Sequence, residues 1–242
     1  RKHLSGLCRV SAERVRDEIV RMLFLDSAAQ TLAYAGALGV LPVVLPEMGG
    51  DASQLRRATG MVSRLEELFE RCAVGRARCA APAPLSGSWL GHIYDYRAAL
   101  TGHWNQELSV GRPRWLALKL AALLSALPDG AEAARGILVR LRFSRPEVGF
   151  VWAAIRAAEQ CLGWAGAREL ERLAIYRYYR DFGSAGVDGA ILALAVGLAG
   201  PRLPRNTRRL LSAWFEERDT LVDPPRLLSG GSAHLGYFAE TK

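Results

Sequence analysis

Lysine, cysteine and histidine are scarce in this 242-residue chain. Only Lys2, Lys119 and Lys242 among its 32 basic residues are lysines, so Arg carries its positive charge. The four cysteines, Cys8, Cys72, Cys79 and Cys161, form no Cys-x-x-Cys pair and have no His at ligand spacing. That pattern excludes a zinc site and a disulfide framework, and reduced thiols in a cytoplasmic protein are expected. A reactive thiol at Cys79 has only the preceding Arg78 in its favour. His3, His92, His103 and His234 are scattered, and His103 lies about two helical turns from Asp95, so no catalytic His is expected. Ala190–Ala199 is an apolar run, but it is too short to span a bilayer, and no membrane partner is expected. No run alternates cleanly enough to mark a strand. Arg1-Lys2-His3 lacks Met and leads into no signal-peptide core, which suggests a fragment or a processed product.

What is present is positive charge and helical periodicity. The net charge is +8 and half of the residues are hydrophobic. A basic balance points to a polyanion such as RNA, with an Arg-rich solvated surface as the alternative. Arg-rich, Lys-poor usage also follows from a GC-rich genome, so composition alone does not choose between them. Ser11 is expected to cap a first helix, with Val15, Ile19, Met22 and Leu23 on one face and Arg14/Glu18 and Asp17/Arg21 as exposed i,i+4 pairs. Asp26 is expected to cap a second helix that Gly39 stops. Leu41–Met48 reads as a Pro-flanked connector, and 75–91 as a loop. Further helices are expected over 54–72, 92–108, 112–126 (apolar and buried), 131–142, 144–162, 167–181, 185–199 and 206–217. Ser144 and Glu147 have capping-box spacing. Asp188 reads as a cap or dipole partner at a helix start. The tail after Pro224-Pro225 reads as loose.

Three stretches, in order, resemble bacterial tRNA nucleotidyltransferases (CCA-adding enzymes) and poly(A) polymerases. The first is Val10–Met48, containing Ser11-Ala12-Glu13-Arg14 and Gly36-Ala37-Leu38-Gly39-Val40-Leu41-Pro42. The second is Gly111–Leu124, and the third runs from Ile175 to Gly183 and on to Val222–Leu228. The resemblance implies an all-α chain: a neck and first body helices over 1–50, a degenerate helical domain of the HD type over 51–220, and the tail over 221–242. It implies a bracing role for Ser11, Glu13, Arg14 and Glu18 beside the helix that selects the incoming nucleotide.

Nucleotidyl transfer needs two metal ions clamped by paired carboxylates, with a Gly-Ser turn for the triphosphate. The 242 residues hold no Asp-x-Asp. Mg²⁺ and CTP or ATP would therefore belong to a catalytic head outside this chain, and no catalytic residue, metal ligand or cofactor is assigned within it. The HD pair should follow Leu124, where Ser125-Ala126 stand instead. The first HD His falls at Arg57, or at Tyr96 on a poorer alignment; the last Asp falls at Val196; the stretch carrying the next His is shortened around Leu127-Pro128-Asp129. None of these binds a divalent metal usefully.

The expected partner is RNA, with tRNA implied by the resemblance and a separate nucleotidyltransferase head as a further candidate. Tyr176, Arg177, Tyr179 and Arg180 interleave rings and guanidiniums, which can stack on bases and hold phosphates. Core packing is the alternative for the two tyrosines. Arg202, Arg205, Arg208 and Arg209 form a second cluster, and Arg135, Arg140, Arg142 and Arg145 a third. The competing function is a stand-alone helical pseudoenzyme that binds a protein through an exposed apolar patch.

Overall fold

A computed structural model describes residues 4–75, 91, 93–196 and 203–222. It is all-α but for one two-stranded ribbon, as expected. After a 3₁₀ turn (Leu4–Arg9) come α1 (Ala12–Phe24), α2 (Ala28–Ala37), the short α3 (Leu41–Val44) and α4 (Ala52–Arg71). Then follow α5 (Arg97–Trp104), β1 (Glu107–Ser109) paired antiparallel with β2 (Arg112–Pro113), and α6 (Arg114–Leu124). The chain closes with α7 (Gly130–Arg140), α8 (Arg145–Gly163), α9 (Arg172–Phe182), α10 (Ala185–Val196) and α11 (Leu203–Phe215). The expected 92–108 helix is thus split: a 3₁₀ turn at Tyr94–Tyr96 precedes α5, and the strand pair replaces its end, turning at Gly111 with φ +67°.

Local sequence explains several helix starts. Ser144 accepts from the Glu147 amide, and the Glu147 carboxylate accepts from the Ser144 amide at 2.9 Å; Pro146 sits where its missing N–H costs nothing. Asp51 accepts from the Ser53 amide at 2.7 Å to start α4. Gly39, with φ +78°, follows α2, as expected.

Neither of the first two expected side-chain caps forms, and one is replaced by a tertiary partner. Ser11 has N-cap backbone geometry but makes no side-chain cap bond. The first amides of α2 donate not to Asp26 but to Glu66 of α4, at 2.6 Å (Ala28) and 3.4 Å (Ala29). Lys119 of α6 pairs with Glu66 at 3.1 Å and donates to the Leu23 and Leu25 carbonyls at the end of α1. One buried ion pair therefore satisfies orphan groups at both sides of the α1–α2 corner. Burial pushes the Lys119 ammonium below its ordinary value, against the pull of Glu66.

Helices α6 and α10 are buried all round and form the centre of one continuous core. That core runs from Ile19 and Leu23 through Leu65, Leu120 and Val151 to Ile191 and Leu211 and does not break at residue 50. α10 lies close against α8. A Cβ on Gly189 would sit 2.3 Å from Ala157 Cβ, so only glycine permits the approach.

Three charged residues lie inside these apolar helices: Arg114, Lys119 and Asp188. Asp188 stands in the first turn of α10, as the dipole-partner reading expects, but its side chain binds partners from other helices. It is fully buried and accepts from Arg114 Nε at 2.9 Å and Trp104 Nε1 at 3.1 Å, with His103 Nε2 at 2.9 Å. Burial raises its carboxyl, but His103 and Arg114 outweigh it and hold the group below the ordinary carboxylate value. His103 thus belongs to Asp188, while Asp95 pairs with Arg208.

Candidate nucleic-acid interface

Helix α1 presents one apolar face to the core, burying Ile19, Val20 and Leu23. Ser11, Glu13, Arg14 and Glu18 lie on the remainder. The expected i,i+4 pairs do not form. Glu18 binds Arg21 one turn on at 2.5 Å, and Asp17 binds Arg16 and Arg112. Arg14 makes no ion pair among the described residues. Val15 packs against the core, whereas Val10 remains exposed.

The α7–α8 corner is built against this segment. Arg140 Nη2 holds both Glu47 oxygens, at 2.8 and 2.9 Å. Arg16 Nη1 donates to the Arg142 carbonyl at 2.7 Å, across 126 residues of sequence. Arg112 bridges Asp17 at 3.2 Å and Glu147 at 4.0 Å, and its Nη1 is buried without a partner. The Asp17 carboxyl is held below its ordinary value, first by the Arg16 hydrogen bond. Arg142 and Arg145 form no ion pair among the described residues, and Arg142 is exposed. Of the third arginine cluster, the Arg140 side chain and the Arg142 backbone thus meet the first fifty residues, a proximity no sequence spacing could reveal.

The α9–α11 clusters are more heavily spent. Tyr179 is buried and donates to the Leu210 carbonyl at 2.7 Å; its ring meets Trp214 and Tyr178. It is a core anchor, and a buried ring cannot stack on a base. Tyr176 is half-buried and already engaged. Arg180 pairs with Asp181, Arg208 with Asp95 and Arg209 with Glu217. Arg177 and Arg205 are exposed without ion pairs among the described residues. Arg202 and Cys79 lie outside the described residues.

The positions expected to match HD ligands lie around one cavity. Arg57, Ser125, Ala126 and Val196 line this cavity of about 470 Å³ between α4, α6, α8 and α10. Tyr96, the poorer alternative for the first His, stacks on Phe215 instead. The cavity does not suit a divalent cation: Arg56, Arg57 and Arg64 line it with a single carboxylate, Glu159. Cys161 is buried on α8, and burial pushes its thiol up to about 12, which rules it out as a nucleophile at neutral pH.

Among the described residues no helix is long and apolar enough to cross a membrane. Among curated proteins none matches this sequence at a significant level. Residues 1–49, the segment that contains α1 to α3 and their flanking turns, match the family model described as "Probable RNA and SrmB- binding site of polymerase A".

Proposed function

We propose that the chain holds RNA for a poly(A)-polymerase-type nucleotidyltransferase and carries out no nucleotidyl transfer itself. One observation carries this reading: residues 1–49 match the RNA-binding family model, and Arg16 and Glu47 within them bind the Arg142 carbonyl and the Arg140 side chain, so the arginine-bearing α7–α8 corner stands against the matched segment. Arg14, Arg142 and Arg145 are exposed and form no ion pair among the described residues, so their guanidiniums can grip phosphates without reading bases. The finer assignment is the 3′ end of tRNA, bound in the cytoplasm. Mg²⁺ and CTP or ATP would be held by a separate catalytic head. The cavity supports a domain kept for shape, since the expected HD positions hold a guanidinium, a hydroxyl and two aliphatic side chains, Arg57, Ser125, Ala126 and Val196.

Filter binding of tRNA at 50 and 200 mM salt tests this. Affinity should fall steeply, with a log–log slope of roughly −0.7 to −0.9 per neutralised phosphate. Absent or salt-insensitive binding would sink the reading, and nucleotide incorporation by this chain alone would sink its non-catalytic half.

A second reading rests on α2, which exposes Tyr34 (66%) and, just past its end, Leu38 (42%) one turn apart within the same segment. Such a pair suits a protein partner of the kind named in the family description. A Tyr34→Glu/Leu38→Glu variant that keeps tRNA but loses SrmB capture supports it; loss of tRNA instead assigns α2 to the RNA.

A further inference from the structure

The cavity between α4, α6, α8 and α10 has a chemistry of its own. Its floor is aliphatic, built from Met61, Ile155, Leu162 and Leu192. Arg56, Arg57 and Arg64 stand on α4 at positions i, i+1 and i+8, and all three line the cavity. Their donors are largely unspent. The Arg56 side chain makes no hydrogen bond or ion pair among the described residues. Arg57 has only a 3.4 Å bond to Ser53 Oγ. Arg64 uses Nη1 on the Ala195 carbonyl at 2.7 Å, leaving most of its five donors. That bond also covers the carbonyl end of α10, whose partial negative charge would otherwise oppose an anion. Glu159, the one carboxylate in the lining, is itself paired with Arg156 at 2.9 Å, while Asp51, outside the lining, is close enough to act on Arg57 and Arg56. Gly60 lines the cavity between the arginines, and a Cβ built there meets nothing within 4 Å.

We infer that this cavity binds a phosphate monoester with a compact apolar body, held by Arg56, Arg57 and Arg64 and requiring no metal. Three guanidiniums against one paired carboxylate balance a dianion better than a single carboxylate ligand, and their forks match phosphate oxygens. The aliphatic floor takes the body of the ester.

Calorimetric titration of the full chain in EDTA, with phenyl phosphate as the probe, tests this inference. Phenyl phosphate should bind more tightly than inorganic phosphate, because only the ester reaches the floor. Arg56→Ala/Arg57→Ala should weaken it by roughly tenfold or more, as expected when charge-assisted bonds are removed. Gly60→Leu should block it by filling the cavity while leaving the melting temperature at or above that of the parent. Competition by an oligoribonucleotide bearing a terminal phosphate, and not by its hydroxyl-ended twin, would identify the source as an RNA end. Equal failure of both twins would identify a free small ester. No phenyl phosphate binding in EDTA at millimolar concentration, or binding indifferent to both the arginine pair and Gly60→Leu, would overturn the inference. tRNA binding should survive in these variants, so failure here is distinct from failure of the RNA-holding reading.

Discussion

Asp188 is the residue on which most of the interior polarity rests. Replacing it with Asn removes the charge while Arg114 stays buried, and breaking a buried pair this way costs about 3–5 kcal/mol. Its carboxyl is held below the ordinary value, so its contribution is present above the unfolded pKa of about 3.9 and is lost as pH falls through the lower folded value. Urea midpoints of the parent should therefore hold through mildly acid pH and drop below about pH 4. Asp188→Asn should start lower and lose part of that acid limb; an unchanged limb would place the acid sensitivity elsewhere. Tyr179→Phe is the opposite kind of change. It deletes one hydrogen bond to the Leu210 carbonyl, worth about 1 kcal/mol. Chemical denaturation should register that loss while filter binding shows unaltered tRNA affinity; an altered affinity would return Tyr179 to the interface.

Among the elements, the α7–α8 corner and α9–α11 compete as RNA surfaces. Arg142→Glu/Arg145→Glu should weaken tRNA binding and make the salt slope shallower by roughly 0.7–0.9 for each phosphate that is no longer neutralised. The change should leave the fold intact, because Arg16 holds the Arg142 backbone carbonyl and not its side chain. Arg177→Glu/Arg205→Glu should do less, and a larger effect from that pair would move the interface to α9–α11. What is legible in the sequence follows the same division between local and distant causes. The Ser144–Glu147 box, the Gly39 stop and the apolar α6 are set by neighbours a few residues apart, so their signals can be read directly. Asp26 and Ser11 resemble caps, yet Glu66 supplies the α2 cap from 38 residues away. Asp188 resembles any acid in a first turn. The clue that distinguishes it is its setting: a lone acid in a helix with no polar face must find a buried cation, and Arg114 in α6 is its counterpart. Arg57, Ser125, Ala126 and Val196 are far apart in sequence and meet at one cavity only through the fold, and the bond from Arg16 to Arg142 likewise leaves no sequence signal.

Across the whole molecule, Lys119 and Glu66 join the first fifty residues to the rest. Glu66→Gln strands the buried Lys119 and should cost about 3–5 kcal/mol, whereas Lys119→Met should cost less, because Glu66 is partly exposed and keeps the Ala28 and Ala29 amides as donors. The double change should cost less than the sum, because neither charge is then left alone. Hydrogen exchange should report the loss first in the amides of α1 and α2, whose facing ends this pair ties down. Uniform loss of protection along the chain would mean that the pair supports the core as a whole.

This corner also bears on inheritance. The stretch that matches an RNA-binding family model closes its own helix ends with side chains from α4 and α6, so it is no transferable cassette. A peptide of residues 1–49 should be largely unfolded by circular dichroism. Any natural shuffling of this segment into another protein would have to carry a lysine and a glutamate along with it, borrowed from helices that the matched stretch does not contain.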